Sequence, residues 1–285
     1  METVHRIDEL RARIAAWRKQ GERIGFVPTM GNLHRGHLAL VERLKSEADR
    51  IVVSIFVNPT QFGANEDFDG YPRTLEADLA NLAPLGVDAV FAPSVAEMYP
   101  DGPQLRTKVE LATLTDMACG ASRPGHFTGV ATVVSKLFNI VQPDVAAFGK
   151  KDYQQVKVIE RMVRDLDIPV RIVPVDTLRE ADGLAMSSRN GYLSAEERAI
   201  APLLARTLAA AAERLQQGEA PAAVEAWTRQ TLDEGGMRTD YVTIRRQSDL
   251  AEPTARDRDL VILAAAWLGR ARLLDNREIT LNALS

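Results

Sequence analysis

The sequence predicts an α/β fold, in which a doubly wound parallel sheet is followed by a smaller C-terminal α+β domain. Five short apolar runs rich in β-branched residues lie before residue 177, and stretches with the spacing of amphipathic helices separate them. Beyond residue 177 this alternation stops. A length of 285 residues suits one large domain and one smaller domain.

The five runs are predicted to be strands because each is apolar on both faces, as strands covered by helices on both sides are. In chain order they are "IGFVP" (24–28), "IVVSIFV" (51–57), "VDAVFA" (87–92), "DVAAFG" (144–149) and "VRIVPV" (170–175). Helical spacing of apolar residues occurs between them at 34–48, 74–85, 128–141 and 153–167. Strands alternating with helices indicate βαβ units, so we predict a Rossmann-like domain over residues 1–176.

The C-terminal part, residues 177–285, is predicted to be a separate small domain. It begins with an Ala- and Leu-rich amphipathic helix at 194–216 and continues with a second helix at 220–234. Three strand candidates follow, "YVTIRR" (241–246), "LVILAAAWL" (260–268) and "ARLLDN" (271–276). The "GR" between the last two fits the turn of a hairpin.

Composition excludes several classes of protein. A formal net charge of -4 disfavours non-specific binding to nucleic acid, which requires clustered Lys and Arg. The single cysteine, Cys119, rules out an intramolecular disulfide framework and a Cys-rich zinc site, and it fits a reducing compartment. The N-terminus lacks the apolar core of a signal peptide, and no run reaches the length of a membrane span. We therefore expect a cytoplasmic protein without a membrane partner.

Chemistry is expected just after the strands, because ligands of open parallel sheets bind beyond the carboxyl ends of the strands. The polar segments there are "PTMGNLHRGH", "NPTQFG", "GKKDYQQ" and "DTLREADGLAMSSRN". The segment 93–127 is rich in Pro, Gly and polar residues and is long for a simple connection, so a lid or binding loop is expected there.

The segment "GNLHRGH" places two histidines at the predicted start of a helix. His34 and His37 are three residues apart, so both imidazoles lie on one helical face, beside the free N–H groups of a helix N-terminus. The alternatives are a surface His34 with a packing His37, or a zinc site. The zinc site lacks a third ligand and the H-E-x-x-H pattern. A P-loop is excluded because the Lys and the Ser or Thr that it needs are missing.

The segment "HRGH" resembles the HxGH signature of the nucleotidylyltransferase superfamily, which includes class I aminoacyl-tRNA synthetases. Taken together and in order, "FVPTMGNLHRGH", "SIFVNPTQF", "FGKKDYQQ" and "GLAMSSRNGYLS" resemble the pantothenate synthetase (pantoate–β-alanine ligase) family over about residues 20 to 200. A tRNA synthetase would need an anticodon-binding region, other small nucleotidylyltransferases do not need "NPTQF" and "GKKDYQQ", and a non-catalytic nucleotide-binding module would not need both histidines and a lysine.

The resemblance implies a two-step ligation that uses ATP with Mg²⁺. Pantoate attacks the α-phosphorus of ATP to form pantoyl adenylate and pyrophosphate, and β-alanine then displaces AMP to give pantothenate. It also implies a homodimer and a C-terminal domain that acts as a lid. Donors placed beforehand around the α-phosphorus lower the barrier, because charge develops on its oxygens.

The same resemblance assigns the site residues. His34, His37 and Lys151 are the expected catalytic groups. The amides of Gln61, Gln155 and Asn58 are expected to hold pantoate or β-alanine, although Asn58 also suits a capping role. ATP is expected to bind the first loop (Met30, Gly31, Asn32, Leu33, His34, Arg35, Gly36 and His37), the "GKKD" turn (Gly149, Lys150, Lys151 and Asp152) and the later loop (Leu178, Met186, Ser187, Ser188 and Arg189).

For several residues the sequence allows more than one role. Ser187 and Ser188 suit phosphate oxygens and Arg189 suits the β- or γ-phosphate, but "MSSRN" is also typical of a turn between domains. A lysine pair such as Lys150 and Lys151 is often solvated. Arg123 is a candidate mobile contact for a phosphate or carboxylate, although exposed loop arginines are usually idle. His5 and His126 are expected to be structural. Asp78 is a candidate outer carboxylate for Mg²⁺, which the phosphates mainly hold.

Overall fold

The computed structural model describes residues 1–63, 68–104 and 107–282. Six parallel strands form the large sheet in the order β1-β4-β3-β2-β5-β6. Their bounds are β1 Glu2–Val4, β2 Ile24–Thr29, β3 Arg50–Ile55, β4 Ala89–Phe91, β5 Val145–Gly149 and β6 Arg171–Val175. The predicted α/β class and the five predicted strands are confirmed.

Helices cover both faces of this sheet, as a doubly wound fold requires. In chain order they are α1 Ile7–Lys19, α2 Arg35–Leu44, α3 Leu75–Leu82, α4 Val95–Met98, α5 Cys119–Ser122, α6 His126–Val141 and α7 Tyr153–Asp165. Apolar residues of α1, α6 and α7 share one buried cluster with the sheet. Those of α2 and α3 form a second cluster on the opposite face.

The order of the strands locates the crevice in which ligands of such folds bind. Strand β2 pairs with β3 on one side and with β5 on the other, so the chain reverses its direction of travel across the sheet at β2 and β5. A crevice opens beyond the carboxyl ends of the strands at such a switch point. The segments "PTMGNLHRGH" and "GKKDYQQ" leave β2 and β5 at this place.

The C-terminal part forms an antiparallel sheet packed on helices. Helices α8 Ala195–Ile200, α9 Leu203–Gln216 and α10 Pro221–Glu234 precede strands β7 Arg238–Arg246, β8 Asp259–Leu268 and β9 Ala271–Thr280. Residues of α9, α10 and the three strands share a third buried cluster. Gly269 and Arg270 form the predicted turn between β8 and β9.

Three sequence expectations differ from the structure. The helix predicted over 194–216 is two helices, because Pro202 cannot donate the backbone hydrogen bond that a continuous helix would need there. The N-terminal strand β1 and helix α1 were not predicted, although Leu10, Ile14 and Trp17 carry a buried helical stripe. The described part of 93–127, where a lid or binding loop is expected, contains α4 and α5 and buries several residues, so much of it packs against the core.

Candidate active site

The two histidines of "HRGH" are held by the start of α2. His34 is the N-cap residue, and its Nδ1 accepts a hydrogen bond from the backbone N–H of Gly36 at 3.1 Å. His37 Nδ1 accepts in turn from the backbone N–H of His34 at 3.2 Å. A Cβ at position 36 would lie 2.8 Å from Cε1 of His34, so the glycine lets the imidazole fold over the first turn.

This arrangement fixes the tautomer of both rings. Because each Nδ1 accepts a backbone N–H, the proton of each neutral imidazole lies on Nε2. The ring centroids of His34 and His37 are 4.1 Å apart, and both residues line the same cleft. The helix start therefore presents a pair of neutral N–H donors.

The surroundings keep both imidazoles uncharged. Burial lowers the pKa of His34 to about 4, with a further contribution from the positive charge of Lys151. Burial lowers the pKa of His37 to about 3, and His34 and Lys151 add to the effect. Near neutral pH both rings are donors without a net charge.

Asp78 organises the loop that leads into α2. Its carboxylate is 1% exposed and accepts from the backbone N–H groups of Asn32 at 3.0 Å and Leu33 at 2.7 Å. The hydroxyl of Thr74 donates to the same carboxylate at 3.1 Å. These contacts commit the buried oxygens of Asp78 to the protein, which disfavours the alternative that Asp78 is an outer carboxylate for Mg²⁺.

The "NPTQ" segment forms a 3-10 turn, Pro59–Gln61, at the carboxyl end of β3. Gln61 is only 9% exposed and lines the cleft, where its Nε2 lies 2.9 Å from Sδ of Met30. Asn58 also lines the cleft but is 1% exposed, and it caps the turn by accepting from the N–H of Thr60. The capping role that the sequence left open for Asn58 is present.

The "GKKD" segment forms a 3-10 turn, Lys150–Asp152, between β5 and α7. Lys151 lines the cleft and its Nζ lies 3.2 Å from Oδ2 of Asp152. Burial by itself would raise the pKa of the Asp152 carboxyl. The positive charges of Lys151 and Arg189 have the larger combined effect, so the pKa of this carboxyl lies below its usual range. Asp152 is therefore a carboxylate between two cationic side chains.

Strand β9, in the C-terminal part of the chain, forms hydrogen bonds with this turn. Nδ2 of Asn276 donates to the carbonyl of Lys150 at 2.7 Å and to that of Lys151 at 2.9 Å. Glu278 accepts from Nζ of Lys150 at 2.8 Å and from the hydroxyl of Tyr153 at 3.0 Å. The side chain of Lys150 is thus paired with the C-terminal sheet, while that of Lys151 lines the cleft.

The later loop also lines the cleft, through Leu178 and residues 186–189. The backbone N–H of Met186 donates to the carbonyl of Leu178 at 2.9 Å, which folds residues 178–186 into a tight hairpin. Ser187 caps a 3-10 turn, Ser188–Tyr192, through its hydroxyl. An ion pair between Arg179 and the buried Asp275, with contacts of 2.7 and 2.9 Å, fastens the hairpin to β9.

Most of the residues predicted for the site meet in one cleft. They are Met30, His34, Gly36, His37, Asn58, Gln61, Gly149, Lys151, Asp152, Gln155, Leu178, Met186, Ser187, Ser188 and Arg189. The lining does not include Gly31, Asn32, Leu33, Arg35 or Lys150. Leu33 belongs to the core under α2, and Arg35 is exposed.

Sequence reasoning missed the apolar wall of the cleft. Val130, Val133, Val134 and Leu137 recur at helical spacing along α6 and all line the cleft. Phe56, Phe62 and Tyr71 add an aromatic edge. The periodicity of α6 predicted a buried face, but it carried no signal that part of this face borders a ligand.

Arg123 and His126 also line the cleft, contrary to the expectation of an idle arginine. Nδ1 of His126 lies 2.8 Å from the carbonyl oxygen of Gln61, and Arg123 Nη2 donates to the same oxygen at 3.4 Å. Arg123 Nη1 is 3.0 Å from Nε2 of His126. The two residues thus hold the backbone of the turn that carries Gln61, which fits the structural role expected for His126.

Within residues 1–63, 68–104 and 107–282, no group of three or more His, Cys, Asp or Glu side chains is arranged to hold a metal ion. The carboxylates that line the cleft are Asp152 and Asp176. Mg²⁺ commonly takes one or two carboxylates together with phosphate oxygens and water. In this structure Asp152 pairs with Lys151 at 3.2 Å and Asp176 pairs with Lys150 at 3.0 Å, so a cation that arrives with a nucleotide would share these carboxylates with the two lysines. In the same part of the chain, no helix combines the length and the apolar character that crossing a membrane requires.

The sequence model of the pantoate–β-alanine ligase family matches residues 2–278 of the chain. The chain belongs to this family. As a member of the pantoate–β-alanine ligase family, it is a ligase that uses ATP to join pantoate to β-alanine.

Curated relatives agree over the full length. The chain is 57% identical to the pantothenate synthetase of Pseudomonas fluorescens (strain Pf0-1) over 284 residues, which is 99% of each chain. It is also 57% identical over 283 residues, again 99% of each chain, to that of Alkalilimnicola ehrlichii.

Solved structures share the fold. The pantothenate synthetase of Thermus thermophilus matches with a TM-score of 0.91 at 48% identity, covering 98% of this chain and 100% of that one. The ligase of Francisella tularensis, complexed with beta-gamma ATP and beta-alanine, matches with a TM-score of 0.81 at 36% identity over 97% of each chain.

Proposed function

We propose that this cleft performs both steps of the ligation, with the nucleotide lying along the starts of α2 and α7 and the acid lying against α6. In the first step a carboxylate oxygen of pantoate bonds to the α-phosphorus of ATP, and the bond from that phosphorus to pyrophosphate breaks. In the second step the amine of β-alanine bonds to the acyl carbon, and AMP leaves with the electron pair of the broken C–O bond.

The observation that carries the proposal is the pair of Nε2–H donors at the start of α2. Attack on the α-phosphorus places negative charge on its oxygens, and donors already fixed in a buried site stabilise that charge without reorganising. His34 and His37 meet this requirement because backbone groups hold their rings and burial keeps them neutral. We assign them to the phosphate that is attacked.

Positive charge for the departing pyrophosphate is assigned to Lys151 and Arg189. Both line the cleft, on the turn after β5 and on the loop before α8. Ser187 and Ser188 add hydroxyl donors on the same loop. Leu178, Met186, Gly149 and Asp152 complete the nucleotide site. Met30, Gly31, Asn32, Leu33, Arg35 and Gly36 shape the loop, mainly through their backbone.

Pantoate is assigned to the side of the cleft that Gln61, Gln155 and α6 form. The amides of Gln61 and Gln155 suit its hydroxyl and carboxylate groups. Its two methyl groups suit the wall of Val130, Val133, Val134 and Leu137. Asn58 is assigned a supporting role, because its amide is buried. The same amides would receive β-alanine in the second step.

Mg²⁺ is proposed to enter with ATP, held mainly by the phosphates, and Asp152 and Asp176 are the carboxylates within the cleft. When bound, the cation neutralises phosphate charge. We also propose that residues 177–285 act as a lid over the domain formed by residues 1–176, since both parts line the cleft. We also propose that the protein is a homodimer, which gel filtration with light scattering tests. We propose that it is cytoplasmic, which cell fractionation tests.

One assay tests the proposed chemistry. The protein is incubated with ATP, Mg²⁺, pantoate and β-alanine, and AMP is followed, while pantoate-dependent exchange of labelled pyrophosphate into ATP isolates the first step. We expect exchange with pantoate alone and AMP release only with both organic substrates. Absence of pantoate-dependent exchange in the folded protein would refute the assignment.

A further inference from the structure

We propose that Tyr99 is a positioning residue for pantoate, acting through Asn58 on the side chain of Gln61. The inference rests on the proposed function, in which Gln61 holds the acid. Tyr99 itself is 2% exposed and does not line the cleft, so it does not touch the substrate. It follows α4, in the segment 93–127.

The hydroxyl of Tyr99 reaches the amide of Asn58. Tyr99 Oη donates to Oδ1 of Asn58 at 2.7 Å, the shortest of the hydrogen bonds of that amide. The ring is held in place by Phe56, with centroids 6.0 Å apart, and by Lys136, whose Nζ lies 5.4 Å from the ring centroid. Burial raises the pKa of Tyr99, so the hydroxyl stays a donor.

Backbone groups decide which way the Asn58 amide faces. Its Oδ1 accepts from the N–H of Thr60 at 3.3 Å, and a backbone N–H cannot donate to an NH₂ group. Its Nδ2 donates to the carbonyl of Gly129 at 3.3 Å, which can only accept. A flipped amide would lose both hydrogen bonds, so these backbone groups select the orientation, and the hydroxyls of Tyr99 and Thr60 then hold Oδ1 in it at 2.7 and 3.1 Å.

The orientation of Asn58 then sets that of Gln61. The second hydrogen of Asn58 Nδ2 goes to Oε1 of Gln61 at 3.2 Å. Gln61 Nε2 is thereby directed away from Asn58, toward Met30 in the cleft. An amide whose NH₂ group is directed into the site donates to a carboxylate or hydroxyl oxygen of the acid, whereas the flipped amide would repel a carboxylate.

The fit between α6 and the "NPTQ" turn makes this chain of bonds rigid. A Cβ on Gly129 would lie 2.3 Å from the carbonyl oxygen of Thr60, so the helix approaches the turn as closely as backbone allows. The Asn58 amide fills the remaining space between them. Tyr99 supplies the shortest of three hydrogen bonds to Asn58 Oδ1, and the N–H and hydroxyl of Thr60 supply the other two.

The test compares Tyr99→Phe with wild type in pantoate-dependent pyrophosphate exchange. The variant loses only the hydroxyl. We expect the KM for pantoate to rise about 3- to 10-fold, the size of one hydrogen bond, with the KM for ATP unchanged. Thr228→Val is the matched control, because it removes a buried hydroxyl that donates to the Val224 carbonyl within α10. It should leave both KM values unchanged.

A second variant, Asn58→Asp, tests whether Tyr99 acts through Asn58. Asn58→Asp has the same shape but two acceptors, so an oxygen faces Oε1 of Gln61 and favours the flipped amide. We expect a larger rise in the KM for pantoate, and the added change Tyr99→Phe should then have little further effect, because the two act as one unit.

The possible outcomes distinguish a failure of the positioning role of Tyr99 from a failure of the proposed function. An active wild type together with a Tyr99→Phe variant whose melting temperature falls while its KM for pantoate is unchanged overturns the positioning role alone. Additive effects in the double variant also overturn it. A folded wild type without pantoate-dependent exchange overturns the proposed function and this inference with it.

Discussion

The Nδ1 atom of His37 accepts the backbone N–H of His34 at 3.2 Å, and this contact decides what both imidazoles can do. Because His34 Nδ1 is likewise occupied, by Gly36, neither ring has a free lone pair with which to take a proton. The pair can donate hydrogen bonds but cannot act as a general base. In the proposed second step, the proton of the β-alanine amine must therefore go to another group.

Asparagine variants separate the two functions of each histidine, which are to accept a backbone N–H through Nδ1 and to donate a hydrogen bond through Nε2–H. In His37→Asn, the amide oxygen can replace Nδ1 as acceptor, but no atom replaces the Nε2–H donor. We expect the rate of pantoyl adenylate formation to fall about a hundredfold to a thousandfold, as for loss of one donor to a developing charge. Single-turnover formation of pyrophosphate measures this rate.

His34→Asn serves as the matched partner, because asparagine is a good N-cap residue and α2 can begin as before. We expect a similar loss of rate with less than about 1 kcal/mol of change in the free energy of unfolding. A variant that loses stability while keeping its adenylation rate would show that these rings pack the helix and do not serve the phosphate.

Acid should destabilise the protein through the buried imidazoles. The pKa of His37 is lowered to about 3 in the folded chain, while in the unfolded chain it is near 6.5. Below pH 6.5 the unfolded state therefore binds more protons than the folded state, so stability falls as pH falls toward 3. The upper limit is about 1.4 kcal/mol per pH unit for this group.

Denaturant titrations at pH 7, 6 and 5 on wild type and His37→Asn test this relation. We expect the wild type to lose more free energy of unfolding over this range than the variant, which has no imidazole at this position. Equal pH dependence in the two proteins would contradict a buried, neutral His37. Lowering of the pKa of His34 acts in the same direction.

The hydrogen bonds from Asn276 to the turn that carries Lys151 should affect the KM for ATP. Asn276→Ala removes the two hydrogen bonds to the carbonyls of Lys150 and Lys151. We expect the KM for ATP to rise about 5- to 30-fold, because the lysine is no longer held in place. The exchange assay at saturating pantoate measures it.

Asn282→Ala is the control for this experiment. Asn282 lies just beyond β9, is exposed, and donates to Oε1 of Gln216 far from the cleft. Its removal should leave the KM for ATP unchanged. A similar rise in both variants would assign the effect to general loosening of the C-terminal sheet.

Asp78 should matter for the stability of the protein, because it holds the loop that leads into α2. Asp78→Asn replaces a carboxylate that accepts the N–H groups of Asn32 and Leu33 by an amide with a single acceptor. One N–H then faces an NH₂ group, so we expect a loss of about 1–3 kcal/mol in the free energy of unfolding. Urea titration measures it, and an unchanged stability would contradict the role given to Asp78.

Much of the fold could be predicted from the sequence, because strands apolar on both faces and amphipathic helices leave clear patterns. The residues of the cleft on α2, on the turn after β5 and on the later loop could also be predicted, since they follow strands directly. Strand β1 was missed because its three residues carry too little pattern. Tyr99 and Asn276 were missed because their partners, Asn58 and the carbonyls of Lys150 and Lys151, lie more than 40 residues away.

Asn58 illustrates a different limit. Its residue type suits a ligand contact and a cap equally well, and only the contacts of its amide distinguish them. In the structure Gly129, Thr60, Gln61 and Tyr99 occupy that amide. The capping contact with Thr60 is local, but the contacts with Gly129 and Tyr99 come from distant segments that no local pattern records.

The contact of Asn276 with the "GKKD" turn also bears on how the chain can be divided. The groups on α2 belong wholly to the first 176 residues, but the shape of the turn that carries Lys151 depends on an amide from β9. A fragment ending before β9 would keep both imidazoles and lose the support of its lysine. The proposed nucleotide site therefore depends on both parts of the chain, because β9 holds the backbone of the turn that carries Lys151 without lining the cleft itself.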